Sequence, residues 1–118
     1  MTSRDIRRSR AELMGAYPGR QIKVAEDKGE MVAEISNGFA VAVIERSLPH
    51  FHLKTREVYR VLRGTLYVAS GGEGHVLRKG DSFTIEVGQI HCARGAEEPA
   101  WVEVESTPPW SVDDHFIL

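Results

Sequence analysis

The stretch "PHFHLKTREVYRVLRG", residues 49–64, decides how this chain is interpreted. It carries His50 and His52, one residue apart, and then Glu57 five positions after the second histidine. Alternate side chains of a β-strand share one face, so the two histidines are expected to point the same way, about 7 Å apart along the chain. A turn over residues 53–56 resets this alternation and lets Glu57 face the same side. The spacing therefore predicts three converging side chains of the kind that bind metals.

The strand that begins at Glu57 extends this prediction. Tyr59 and Val61 share its face and are expected to point inward. The Tyr59 hydroxyl is a candidate catalytic group that could reach an open coordination position, and the alternative is that the ring fills the interior of the protein. Both uses stay open at this point.

The flanking sequence predicts an all-β fold. After a turn at "YPGR", residues 17–20, short apolar segments of four to eight residues alternate with turn formers such as Asn37-Gly38 and Lys79-Gly80-Asp81. Many short strands with frequent turns are typical of a β-sandwich or barrel. The segment "TLYVASGGEGHVLRKG" is typical of a hairpin, because paired glycines permit the positive φ angles of a tight turn.

His91 follows another predicted turn, at Gly88, and lies on a later strand. If the barrel closes, His91 completes a cluster of three imidazoles and one carboxylate with His50, His52 and Glu57. This ligand set suits a divalent transition metal such as manganese, iron, nickel or zinc. Four protein ligands leave one or two positions for water or substrate, unlike a structural zinc site with its closed shell.

Two motifs resemble those of the cupin superfamily. "HFHLKTREVYRVLRG" is similar to the first cupin motif, H-x-H-x(3 or 4)-E-x(6)-G, through His50, His52, Glu57 and Gly64. "GDSFTIEVGQIHCARG" is similar to the second, G-x(5)-P-x-G-x(2)-H-x(3)-N, through matches that comprise Gly80, Gly88 and His91. The resemblance implies a small double-stranded β-helix, or jelly-roll barrel, with a metal at one end and commonly a dimeric assembly.

Three positions depart from the family pattern. Ile44 stands where the first motif often begins with glycine, Glu86 replaces the proline of the second motif, and Gly95 replaces its asparagine. None of the three supplies a metal ligand, so the departures concern turns and strand ends. Glu86 is expected to be a solvated turn residue.

The chain is expected to form a single cupin domain with three parts. Residues 1–20 are predicted to form a helical arm, with Ile6, Leu13 and Met14 on one helix face. Residues 21–107 form the β-barrel. Residues 108–118 form a tail that lies along the surface, anchored by its apolar residues Trp110, Phe116, Ile117 and Leu118, or that packs against a second subunit.

Composition narrows the classes of function. The 118 residues carry a net charge of −2, which gives no general attraction to nucleic acid or to anionic membranes. No run of apolar residues approaches the length of a membrane span. The single cysteine, Cys92, excludes an internal disulfide and a thiolate-rich zinc site. A cytoplasmic protein that binds a small molecule, and forms a homodimer as the family resemblance implies, is the expectation.

Three functions are compatible with these residues. The first is a metal-dependent, isomerase-like enzyme acting on a sugar, sugar phosphate or keto acid, and the "STPPW" tail weakly resembles small cupins described as mannose-6-phosphate-isomerase-like. The second is an iron-dependent dioxygenase. The third is a non-enzymatic module that binds or senses a small molecule in the same pocket. The barrel alone does not choose among them, because one fold hosts many chemistries.

Overall fold

The computed structural model describes residues 3–25 and 29–118. Within these ranges most of the chain is β-strand, with a short N-terminal helix, which confirms the predicted class. The elements are α1 (Ser3–Ala16), β1 (Ile22–Ala25), β2 (Glu30–Ser36), β3 (Phe39–Ile44), β4 (His50–Phe51), β5 (Arg56–Arg63), β6 (Leu66–Ser70), β7 (Glu73–Leu77), β8 (Ser82–Ile85), β9 (His91–Gly95), β10 (Ala100–Thr107), a 3-10 turn (Val112–Asp114) and β11 (Phe116–Ile117).

The strands form two antiparallel sheets of a jelly-roll barrel. One sheet has the order β1-β2-β3-β10-β5-β8, and the other has the order β11-β4-β9-β6-β7. The first core cluster fills the barrel with inward side chains from both sheets, including Tyr59, Val61, Leu66 and Val68. The predicted alternation of β5 is confirmed, since Glu57, Tyr59 and Val61 are buried.

The predicted hairpin is also confirmed. β6 pairs with β7 from Leu66 opposite Leu77 to Ser70 opposite Glu73. Gly71 and Gly72 connect them with φ angles of 59° and 83°, a region that side chains with a Cβ atom disfavour. These glycines therefore suit the tight turn that sets β6 against β7.

The helix packs on the outer face of the larger sheet and forms the second core cluster. Leu13 is fully buried against a layer of outward-facing sheet residues, namely Met31, Ala33, Val41, Val43 and Trp101. Met14, predicted on the same helix face, is instead 53% exposed. Adjacent residues of a helix lie about 100° apart, so only one of the two can point at the sheet. The side chain of Ile6 lies outside the described residues.

The C-terminal tail folds back across one end of the barrel. After β10 ends at Thr107, the tail makes one 3-10 turn, and β11 then pairs with β4 beside the predicted ligands. The four apolar residues expected as anchors are 38–70% exposed, although Phe116 stacks on Phe51 with ring centroids 5.2 Å apart. Among the tail side chains whose burial is described, Asp114 is the buried one, so the tail lies along the surface as expected, and its anchoring by all four apolar residues stays a prediction. Among the described residues, α1 is too short and too polar to cross a membrane.

Candidate metal centre

Four buried side chains from three strands and one turn meet between the two sheets. His50 lies on β4 and His91 on β9, where the two residues are direct cross-strand partners. His52 follows β4, and Glu57 is the second residue of β5. One potential ligand atom from each residue lies within 4.8 Å of the others. The structure thus brings together all four residues that the sequence predicts as ligands.

The turn between His52 and Glu57 and the turn before His91 are joined to each other. The backbone N–H of Gly88 donates to the carbonyl of His52 over 2.6 Å, and Gly88 has a φ of 79°. The two motifs are therefore linked by the main chain, which explains how residues about forty positions apart keep one geometry.

Each of the three histidines is oriented by a main-chain carbonyl. Nδ1 of His50 lies 2.7 Å from the carbonyl oxygen of Leu48. Nδ1 of His91 lies 2.9 Å from the carbonyl oxygen of Gln89. In His52 the acceptor is the carbonyl of Asp114, 2.7 Å away. Because a carbonyl only accepts, Nδ1 carries the proton and donates it. Each neutral ring therefore presents the lone pair of Nε2 for coordination.

The inward-facing atoms are left without hydrogen-bond partners. Nε2 of His52 lies 3.1 Å and Nε2 of His91 lies 3.5 Å from Oε1 of Glu57. Among the described residues, these three buried atoms find no hydrogen-bond partner. Buried polar atoms are seldom left unsatisfied. A lone pair on each imidazole, gathered around a carboxylate, fits a divalent cation.

Electrostatics supports the same interpretation. Burial, aided by His91, lowers the pKa of His50 to about 4, so this ring is neutral near pH 7. Burial works against the charge of Glu57, but the imidazoles of His52 and His91 outweigh it and lower its pKa to about 2. Burial also disfavours a charged His52, yet Glu57 raises the pKa of this ring above its usual value. The cluster therefore favours one positive charge beside Glu57, supplied by a proton or by a metal.

Tyr59 lies on the same face of β5 but deeper in the core. Its side chain is 6% exposed, and its ring centroid is 6.4 Å from that of His91. Burial raises the pKa of its phenol well above the ordinary value. The ring therefore fills the barrel, which is one of the two uses that the sequence left open. Its catalytic role stays a prediction.

A cavity of about 790 Å³ opens beside the cluster. His50, His52 and Glu57 line this cavity, and residues of β2 and β3 form one of its walls. Polar side chains at this wall and its rim include Arg20, Lys23 and Glu34, and Lys23 pairs with Glu34 at 2.6 Å. The cluster thus faces a space large enough for a small metabolite.

The sequence did not predict that the tail contributes to this cavity. The ring of His115 lies 4.7 Å from that of His50 and 5.5 Å from that of Trp110, measured between centroids. Both His115 and Trp110 line the cavity. No local pattern in "SVDDHFIL" signals this position, because it depends on the return of the chain to β4.

The departures from the family motifs have local explanations. A Cβ atom at Gly95 would collide with the carbonyl oxygen of Glu98, so the asparagine of the motif does not fit this backbone. Glu86 is exposed and pairs with Arg56 at 2.6 Å, as expected for a solvated turn residue. Ile44 is buried in the core. None of the three belongs to the cluster of potential ligands.

Comparison with known proteins identifies relatives of this fold. A family described as "Cupin domain" matches residues 39–104. One similar solved structure is KdgF from Halomonas sp., with a TM-score of 0.63 and 20% identity, covering 79% of this chain and 89% of that one. Another is Streptomyces Pac13 with uridine, with a TM-score of 0.70 and 12% identity, covering 84% of each chain. A third is a sugar phosphate isomerase of the cupin superfamily from Silicibacter pomeroyi, with a TM-score of 0.58 and 21% identity, covering 70% of this chain and 60% of that one. No curated protein sequence matches.

Proposed function

The chain belongs to the cupin domain family, and we propose that it binds one divalent transition-metal ion and acts on a small polar metabolite bound beside it. His50, His52, Glu57 and His91 would hold the ion. The observation that carries this proposal is the set of buried, unpartnered atoms: Nε2 of His52, Nε2 of His91 and Oε1 of Glu57. A purely structural polar cluster would satisfy these atoms within the protein.

The donor set favours manganese, iron, nickel or zinc. When bound, such an ion polarises a carbonyl or hydroxyl oxygen and stabilises the negative charge that develops on it. The chain itself supplies orientation. The carbonyls of Leu48, Gln89 and Asp114 hold the three imidazoles in the tautomer that exposes Nε2, and all four ligand residues are buried.

The cavity supports a polar, oxygen-bearing substrate such as a sugar, a sugar phosphate or a keto acid. Its walls combine apolar side chains with Arg20, Lys23 and Asn37, which donate hydrogen bonds, and with Glu34, which accepts them. Arg20 uses one nitrogen on the carbonyl of Ile35 and retains further N–H groups for a carboxylate or phosphate. The similar sugar phosphate isomerase supports an isomerase-like reaction only through its shared fold.

We keep Tyr59 as the candidate group for proton transfer because it shares the inward face of β5 with Glu57, and its ring centroid lies 6.4 Å from that of His91. Tyr59→Phe removes only the hydroxyl. We expect a lower kcat, with KM and metal content unchanged. Tyr67→Phe, a half-buried tyrosine on β6, is the matched control, and equal kcat values for the two variants would remove Tyr59 from the reaction.

The function is tested by reconstitution. Metal-free protein is loaded anaerobically with manganese, ferrous iron, nickel or zinc and incubated with sugars, sugar phosphates and keto acids, while products are followed by NMR. Turnover without oxygen supports the proposal. Turnover only with iron and oxygen would establish the dioxygenase instead. A ligand-dependent rise in Tm without turnover for every metal would identify a binding module.

The homodimer and the cytoplasmic location expected from the sequence stay proposals. The tail exposes Phe116, Ile117 and Leu118, an apolar surface of the kind that a second subunit covers. Analytical ultracentrifugation of the purified chain gives the oligomeric state, and a monomer at all accessible concentrations would exclude the dimer.

A further inference from the structure

Asp114 holds the turn that joins two of the proposed ligands. Its Oδ1 accepts from the backbone N–H of Leu53 at 2.8 Å, and its Oδ2 accepts from that of Thr55 at 2.9 Å. The N–H of Lys54 lies between them, 3.1 and 3.0 Å from the two oxygens. Three successive N–H groups around one carboxylate form an anion-binding nest. Residues 53–55 form most of the turn between His52 and Glu57, so the nest holds the separation of those two side chains.

The same residue also orients a ligand directly. The main-chain carbonyl of Asp114 accepts the proton of His52 Nδ1 at 2.7 Å. The side chain of Asp114 thus holds the turn and its main chain holds the imidazole, although the two segments are 62 positions apart. Burial of Asp114, which is 4% exposed, works against its charge, but hydrogen bonds from the turn outweigh this and lower the pKa of its carboxyl.

The rest of the tail keeps Asp114 in place. On the N-terminal side of Asp114, the carbonyl of Pro108 accepts a hydrogen bond from Thr55 Oγ1 at 3.1 Å. After it, Phe116 and Ile117 pair with β4, and the N–H of Leu118 donates to the carbonyl of Pro49 at 3.1 Å. The tail is therefore attached on both sides of Asp114 to the segment that carries His50 and His52.

We infer that Asp114 is a positioning residue for the metal centre and that the tail, residues 108–118, is part of the metal-binding machinery. This inference rests on the proposed function. Without the carboxylate, the three N–H groups lose their acceptor, and the turn no longer holds His52 and Glu57 at one separation. The metal must then order this turn when it binds, which weakens its affinity. Groups that orient metal ligands typically contribute about 10–100-fold to metal affinity.

The test compares Asp114→Ala, Asp114→Asn and Asp113→Asn. Asp113 lies in the same 3-10 turn but is exposed, so its variant changes the same charge without touching the nest. The Kd for Zn²⁺ is measured by competition with a chelator. We expect a Kd about 10–100-fold higher for Asp114→Ala, a smaller increase for Asp114→Asn, which retains one acceptor oxygen, and no change for Asp113→Asn.

Two further measurements separate positioning from a general loss of stability. In Asp114→Ala, the amides of residues 53–55 should exchange faster with solvent, and the ¹⁵N shifts of the His52 ring should show mixed tautomers. A purely structural role would lower the Tm of the metal-free protein but leave the Kd of the folded fraction unchanged. If Asp114→Ala does not fold, Asp114→Asn carries the same comparison.

The outcomes distinguish the two proposals. A wild-type protein that binds no metal would overturn the proposed function and this inference together. Tight binding by the wild type with a Kd within twofold in both Asp114 variants would overturn the inference alone. A selective loss in the Asp114 variants, with Asp113→Asn unaffected, would support it.

Discussion

Two clusters of this protein are almost equally buried and do opposite things. In the second core cluster, Leu13 packs on Met31, Val43 and Trp101, and the buried side chains there are apolar except for the indole nitrogen of Trp101. In the candidate metal centre, the imidazoles and the carboxylate are as inaccessible as the core, yet they point unpaired polar atoms at one another. Burial lowers the free energy of the first cluster through the hydrophobic effect and raises that of the second through desolvation.

This difference separates the residues that stabilise the barrel from those that give it a function. The apolar cluster should set the free energy of unfolding, whereas the polar cluster lowers stability and, under the proposed function, is retained because it binds an ion. Mutations in the two clusters should therefore change different observables. Each of the following predictions tests that separation, beginning with the largest effect.

The largest effect is expected on metal content. Replacing His52 and Glu57 together with leucine removes two ligands and two buried polar groups of similar size. Bound metal should fall to background, while the free energy of unfolding of the metal-free protein stays equal or rises by about 1–4 kcal/mol. Elemental analysis and urea unfolding measure the two quantities. The control is His75→Leu, which replaces a half-buried histidine outside the cluster. If the double variant loses both bound metal and free energy of unfolding, the two clusters do not have the separate roles described above.

The next effect is expected in the apolar cluster. Leu13→Ala leaves a cavity between the helix and the sheet and should lower the free energy of unfolding by about 2–5 kcal/mol. The Kd for metal of the folded fraction should not change. Met14→Ala, on the exposed side of the helix, should have little effect on stability. A metal affinity that falls with Leu13→Ala would show that the two clusters are coupled.

A smaller effect, about tenfold per pH unit, is expected from proton competition for the site. Because Glu57 raises the pKa of His52, a metal must displace a proton from this ring below that raised value. Apparent affinity should be constant at higher pH and fall as the pH drops through it. His50, with a pKa of about 4, should add a further loss only in more acidic solution.

The pH dependence is measured by Zn²⁺ titration in chelator buffers from about pH 8 to pH 5. Without metal the sign reverses for His52: its raised pKa stabilises the fold below the unfolded value, and this contribution disappears as the pH rises through the folded one. An affinity that does not change over the whole range would show that no proton occupies the site.

The smallest effect is expected at the surface of the apolar cluster. The guanidinium of Arg63 lies 4.5 Å from the ring centroid of Trp101, and it pairs with Glu12 at 2.8 Å. Both interactions are half-exposed, so Arg63→Ala should lower the free energy of unfolding by about 1 kcal/mol or less. The control is Arg60→Ala, at an exposed position on the same strand. If urea unfolding shows the same loss of unfolding free energy in both variants, the contact of Arg63 with Trp101 does not stabilise the protein.

The sequence predicts the fold and the four clustered side chains because their signals are local. Alternation places Glu57 and Tyr59 on one face, and glycine turns place His91 on a strand that returns to His50. The role of Asp114 and the position of His115 have no such signal, since both follow from the pairing of β11 with β4. Met14 was misplaced for a related reason: its exposure depends on how the helix is rotated against the sheet, which helical spacing alone does not fix.

The central claim is that the buried polar cluster is a metal site, and the metal content of the purified wild-type chain tests it most directly. Protein stripped with a chelator and reloaded is analysed for bound metal, and X-ray absorption spectroscopy gives the ligand shell. The account predicts one ion per chain, bound by imidazole nitrogens and carboxylate oxygen. A chain that stays folded and binds no divalent ion, or an ion whose shell contains no imidazole, would contradict it.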